Sequence, residues 1–291
     1  MPSLAVLRTL LREILTSQRT ARVPEPDLVM DDPAQVAAYV AAGRPDGVMA
    51  PVYLFNCAQA CTVLKPGDTV VDLACGPANQ LAMVAEMNPD CRFIGIDLSP
   101  TMLARASTHV ASQSLTNVEL RHGDISNLRD IATGSVEAVM STMALHHLPT
   151  VELLYRTFSE VARILRAGGG LYLVDFGRLK SGASIEYFAN QYADRQPALF
   201  TVDYLNSLRA AFSRRDFERA SAPLRSRARV YSTFLAPYMV AIKSPPRHGD
   251  EDALRHKLQA RTRALPEHHR RDLADLRTFF GAGGLSTPVL G

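Results

Sequence analysis

Cysteine, lysine and uninterrupted apolar sequence are all scarce in this chain of 291 residues, and each scarcity excludes something. The four Cys stand at 57, 61, 75 and 91. So few in so long a chain form no disulfide framework, and the lack of any C-x-x-C spacing argues against a structural zinc site. Only four of the 32 basic residues are Lys, and with the many Ala this Arg excess reads as coding bias, not as an Arg-built binding surface. A net charge of +3 is too balanced to make nucleic acid or an anionic membrane the main partner. Ionised side chains interrupt every long apolar stretch, so no membrane span is expected. The Leu4–Glu13 segment is broken in the same way and does not read as a signal peptide. A soluble cytoplasmic protein is the default expectation. Hydrophobic residues at 47% and charged residues at 21% exclude a mostly disordered chain. There is no internal repeat and no low-complexity block.

Three helices are expected before residue 64. Leu4, Leu7, Leu11, Ile14 and Leu15 recur at helical spacing over 3–18, with Arg8, Arg12 and Glu13 turned away. Asp32-Pro33 opens a second helix and Gly43 and Pro45 close it. A third spans 50–64, with Cys57 and Cys61 on one side. From Lys65 the pattern changes to short apolar runs alternating with helical segments. Strands are expected at 70–73, 93–97, 118–121, 136–141 and 171–175, with helices at 78–88, 100–112 and 151–166. Such alternation needs crossover connections and gives a parallel sheet covered on both faces. A helical, aromatic-rich insert follows at about 176–222, then two strands joined at Ala236-Pro237. The stretch 246–291 reads as a helical tail holding half of all the His (His248, His256, His268, His269). Its Gly-Ala-Gly-Gly segment is expected to fray.

The chemistry is concentrated where strands end. Asp72 closes a buried strand and is followed by a tight turn of small residues, Ala74 to Ala78, and a helix. In open parallel sheets, ligands sit outside the carboxyl ends of the strands, where this turn runs. Gly76 can supply an unusual φ and lets a ligand approach the backbone. Asp97 ends the next strand, where an acid can accept from both hydroxyls of a ribose. Gly123-Asp124-Ile125 follows the third strand, where a carboxylate could accept from an adenine amino group.

These residues resemble the class I S-adenosylmethionine-dependent methyltransferases. The family's (D/E)-x-G-x-G-x-G turn is similar to Asp72-x-Ala74-x-Gly76-x-Ala78, with two Gly replaced by Ala. Its second acid corresponds to Asp97, followed by Leu98-Ser99-Pro100-Thr101-Met102-Leu103, in which Met102 would pack on the adenine. Its G-D-apolar run resembles Gly123-Asp124-Ile125. Ala144-Leu145-His146-His147-Leu148-Pro149 looks like the A-L-H-H-L motif of small-molecule members. Leu165 to Leu171 resembles the L-x-P-G-G-x-L turn, with Ala167 for Pro. Five motifs in order over about 65–243 are a specific signal. A nicotinamide dehydrogenase fits less well, because its G-x-G-x-x-G turn would meet Ala78 and Leu81.

The resemblance implies a Rossmann-like α/β fold: a seven-stranded, mostly parallel sheet of order 3-2-1-4-5-7-6 with helices on both faces. A helical lid at 1–64, a methyltransferase domain at 65–245 and the tail complete the expected organisation. It implies S-adenosyl-L-methionine as cofactor, S-adenosyl-L-homocysteine as product and no metal. Expected donor contacts are Asp72, Ala74, Gly76, Asp97, Leu98, Met102, Gly123, Asp124, Ile125 and Met143. His146 and His147 are the candidate bases, with a structural turn as the rival reading. The acceptor is expected to be a small molecule. No nucleic acid is expected, since Ser141-Thr142-Met143-Ala144 stands where nucleic-acid amino-methylating members carry N-P-P-[YF]. Two alternatives stay open: a metalloid (arsenite-type) methyltransferase using Cys57 and Cys61, and a non-catalytic scaffold of the same fold. Tyr187, Phe188, Tyr192, Phe200 and Tyr204 read as substrate roof or as helix packing. Arg178 reads as solvated, or as meeting an acidic substrate, and the tail's His and Arg as a solvated helix or a homo-oligomer contact.

Overall fold

The computed structural model describes residues 4–17, 20–27, 30–247, 249 and 251–290. His248 and the ends of the expected 3–18 helix lie outside the described residues. In chain order come α1 (Leu4–Leu15), α2 (Pro33–Ala42), α3 (Ala50–Cys61), β1 (Thr69–Leu73), α4 (Asn79–Met87), β2 (Arg92–Asp97), α5 (Pro100–Ser112), β3 (Val118–His122), β4 (Val136–Thr142), α6 (Val151–Ile164) and β5 (Leu165–Phe176). Then follow α7 (Gly182–Asn190), α8 (Ala198–Ala210), α9 (Arg214–Ala220), β6 (Arg229–Ser232), β7 (Met239–Lys243), α10 (Glu251–Ala264) and α11 (Glu267–Ala282).

The seven strands form one sheet in the order β3-β2-β1-β4-β5-β7-β6. The first five are parallel, and β7 runs antiparallel to both β5 and β6. Strand residues alternate between two cores, as a period of two requires. Val70, Phe93, Met140 and Tyr172 enter the core shared with α3, α4, α10 and α11. Val71, Ile94, Val139 and Leu171 enter the core shared with α6 and α9. On α6, Leu154, Phe158 and Val161 recur at helical spacing on the buried face, and Thr150 caps the helix by accepting from Leu153 N–H. Asp32 caps α2 and Ser99 caps α5 in the same way. Gly170 of β5 has a steric reason: a Cβ there would stand 2.0 Å from the Val63 carbonyl oxygen.

Two terminal elements depart from expectation. The leucine stripe of α1 points outward: Leu4, Leu7, Leu11, Ile14 and Leu15 are exposed, while Thr9, Leu10 and Glu13 are buried. Glu13 sets the helix rotation. Its carboxylate accepts from the backbone N–H groups of Lys180 and Ser181, at the N-terminus of α7, where an anion is favoured. The segment after α11 packs on the fold as far as Leu290. Phe280 of α11 stacks on Phe55 of α3 at 5.0 Å, and Val289 and Leu290 are buried. A Cβ on Gly283 would stand 1.8 Å from the Ser232 carbonyl oxygen, so the glycine lets the two backbones touch. Within the N-terminal region, α3 is a core helix, buried along its length. The residues before 64 that face the main cavity are Met30, Tyr39, Met49 and Tyr53.

Candidate active site

A cavity of about 200 Å³ opens at the carboxyl ends of β1, β2 and β4. The turn after β1 alternates in handedness. Ala74, Gly76 and Ala78 have φ of 55°, 54° and 63°, the left-handed region that L residues other than Asn and Asp seldom occupy. At Gly76 a Cβ would meet nothing within 4 Å, so the missing side chain leaves open space over the backbone. Asp97 locks the turn, accepting from Gly76 N–H at 2.7 Å and Ser99 N–H at 2.9 Å. Burial pushes its carboxyl above the ordinary range, and these backbone donors pull the other way. Asp124 closes its own turn by accepting from the backbone and hydroxyl of Ser126.

The structure gathers ten of the twelve candidate residues around this cavity: Ala74, Gly76, Asp97, Leu98, Met102, Asp124, Ile125, Met143, His146 and His147. Asp72 and Gly123 are not among the lining residues. Asp72 is buried behind the turn, where desolvation and then the charge of Asp97 hold its carboxyl well above the ordinary range. Gly123 admits the neighbouring strand, since a Cβ would stand 3.1 Å from Ile96. Met143 carries a left-handed φ of 56° just beyond β4.

His146 and His147 lie in a 3-10 turn directly after it. His146 is 2% exposed and held twice by Asp175 of β5: its backbone N–H and its ring Nδ1 each lie 2.7 Å from a carboxylate oxygen. A carboxylate accepts, so Nδ1 is the nitrogen that donates to Asp175, and Nε2 is the nitrogen free to face a reactant. His147 is different. Burial, and then the neighbouring His146, push its pKa down to about 3, so it is neutral, and its Nδ1 is buried without a hydrogen-bond partner.

Several residues around this pair carry no sequence signal. Arg22 crosses from the N-terminal segment and donates to the carbonyls of His146, Leu148, Pro149 and Ala210 while lying 4.0 Å over the Phe212 ring. This strap brings Glu25 to the histidines, where burial raises its carboxyl and Ser207 donates to it. Phe200, Asp203, Tyr204 and Ser207 present one helical face of α8 to the cavity. Asp203 Oδ2 is buried without a partner, and desolvation, then Glu25 and Asp32, lift its pKa to about 6. The contacts of Arg22 and Glu25 span more than 120 residues, beyond any local pattern. Of the aromatic insert, Phe200 and Tyr204 line the cavity and Tyr187 does not. Arg178 pairs with Asp216 at 3.3 Å.

One atom each of Glu25, His146 and His147 lie within 4.8 Å of one another, a donor set that could take a metal ion. Cys57 and Cys61 form a separate pair, with sulfurs 3.9 Å apart in the core beneath α4. Neither lines the cavity. Cys57 is pushed well up by its contact with Cys61 and by burial, and Cys61 is pulled down by the same contact.

Residues 70–169 match the family described as "Methyltransferase domain". The chain is 35% identical over 118 residues to the arsenite methyltransferase of Halobacterium salinarum, covering 40% of this chain and 29% of that protein. It is 37% identical over 114 residues to the trans-aconitate 2-methyltransferase of Deinococcus radiodurans, covering 39% of this chain and 40% of that one. The chain thus spans less than half the length of these curated relatives. Among solved structures, the plantazolicin methyltransferase BpumL in complex with SAH shares the fold at a TM-score of 0.55 and 16% identity, over 91% of this chain and 92% of that one. Among the described residues no helix is long and apolar enough to cross a membrane. Residues 70–169 thus carry the match to a methyltransferase domain, on a fold that the chain shares with a solved methyltransferase structure.

Proposed function

We propose that this chain transfers a methyl group from S-adenosyl-L-methionine to a hydroxyl-bearing small molecule, with His146 as general base. The observation that carries this reading is the His146–Asp175 pair, buried at the wall of the cavity that Asp97 and Asp124 also line. The residues present fit the donor: Gly76 leaves a cradle over the backbone, and two carboxylates face the cavity from successive strand ends. Asp97 would hold the ribose hydroxyls, Asp124 with Ile125 the adenine, and Met102 and Leu98 its flanks. When bound, the cofactor supplies an electrophilic methyl on a sulfonium sulfur.

The chain's own work is to position and to deprotonate. Asp175 orients His146 so that Nε2 would face the acceptor and take its hydroxyl proton. Holding both reactants at attack distance supplies most of the acceleration, and a positioned base adds about 10²- to 10⁴-fold. His147, neutral through the working range, would pack against His146 and exclude water.

Calorimetry tests the donor site. Asp97→Ala is expected to abolish the S-adenosyl-homocysteine binding shown by the wild type, whereas retained binding would refute the assignment. An acceptor screen read by donor consumption tests the base. Asp175→Asn is expected to lower kcat by about 10²-fold or more with KM for the donor unchanged. Dialysis against EDTA is expected to leave turnover intact. Loss restored by a divalent ion would give the Glu25–His146–His147 cluster a metal instead.

The arsenite alternative finds no support in the cavity, because Cys57 and Cys61 lie outside it. The exposed leucine face of α1 favours a homo-oligomer, which light scattering decides. A monomer would remove that reading.

A further inference from the structure

A second cavity of about 120 Å³ adjoins the first and shares Met49, Phe200 and Tyr204 with it. Its other walls are mainly apolar, among them Val52 of α3, Phe188 of α7 and Leu276 of α11. A run of rings leads from the proposed base into it. His146 lies 5.2 Å from Phe176, and Phe176 lies 5.3 Å from Tyr204 and 6.1 Å from Tyr238. Tyr238 in turn stacks on Phe188 at 4.2 Å. The hydroxyls of Tyr204 and Tyr238 hydrogen-bond to each other, so neither phenol is left unpaired at the wall of the second cavity.

Space argues the same way. The donor is a nucleoside joined to an amino acid, and ligands of that size take pockets of about 300–1,000 Å³. The first cavity, about 200 Å³, lies below that range, so a donor seated over Gly76, Asp97 and Asp124 takes up its space. The acceptor's body needs another place. An apolar cavity of about 150 Å³ admits one benzene ring, and the second cavity is close to that size.

We infer that the acceptor is an elongated aromatic molecule of at least two joined rings. Its hydroxyl-bearing ring lies along Phe176 beside His146, and its distal ring passes Phe200 and Tyr204 into the second cavity. This rests on the methyl-transfer reading and adds the class of substrate to it.

The test is a calorimetric titration of the full chain saturated with S-adenosyl-homocysteine, using phenol and 4-phenylphenol as probes. 4-Phenylphenol is expected to bind at least tenfold more tightly than phenol. Leu276→Trp on α11 and Val52→Phe on α3 enlarge side chains that line the second cavity and not the first. Each is expected to bring 4-phenylphenol to the affinity of phenol while leaving S-adenosyl-homocysteine binding unchanged. The S-adenosyl-homocysteine titration also shows that a variant has folded, and either variant suffices. Equal affinity of the two probes for the wild type, or an advantage that survives the filling, overturns the inference. Failure of the wild type to bind S-adenosyl-homocysteine falls instead on the methyl-transfer reading itself.

Discussion

Ala74 and Ala78 occupy the left-handed region at φ 55° and 63°, between them the glycine that the conformation suits. A Cβ in that region costs roughly 1–2 kcal/mol, and glycine loses part of the difference through its freer unfolded chain. Ala74→Gly is therefore expected to raise stability by about 1 kcal/mol in urea unfolding; a loss of stability would refute the strain. Ala78 is fully buried, so removing its methyl would sacrifice packing as well. Asp203 gives a pH signature. Its pKa of about 6 lies above the unfolded value, so the folded chain holds a proton that the unfolded chain has released between about pH 4 and 6. Stability from this group is fully present below pH 4 and is lost as pH rises through 6. Asp203→Asn removes that slope and is expected to stabilise the chain at pH 7 by about 1 kcal/mol after solvent screening. Melting temperatures of both proteins at pH 4 and pH 7 check this, and parallel shifts would refute it.

Elements far apart in sequence are held by a few side chains. The Phe55–Phe280 stack joins α3 to α11, and both rings are fully buried. Phe280→Ala is expected to cost about 3–5 kcal/mol, read as a lower urea midpoint, and a cost under 1 kcal/mol would show that the tail merely rests on the fold. Gln59 of α3 reinforces the same junction by donating to Ser286 and Thr287. The α1 helix illustrates the opposite case. Its apolar periodicity predicts a buried leucine face, and the structure exposes that face. One carboxylate, Glu13 at the N-terminus of α7, turns that face to solvent.

Across the whole molecule, the sheet order places β1, β2 and β4 side by side, so their carboxyl ends open on one cavity. That much was legible in the chain. Strand–helix alternation, the acid and small-residue turn after β1, and the caps at Asp32 and Ser99 are local patterns with local causes. They point to the fold, the order of the elements and ten of the residues that line the cavity. Asp175 was legible only as a strand end, and Arg22, Glu25 and Asp203 not at all as site residues. Their meaning depends on partners more than a helix away in sequence, and no periodicity records such a partner. The second cavity is likewise invisible in the chain, since its walls come from α1, α3, α7, α8 and α11 together. The sequence by itself determined which backbone turns form and which family they resemble, because turns, caps and alternation are decided within a few residues. Only the tertiary structure decided which histidine is oriented by a carboxylate, which face of α1 is buried and where an acceptor has room, because those depend on long-range packing and on burial of charge.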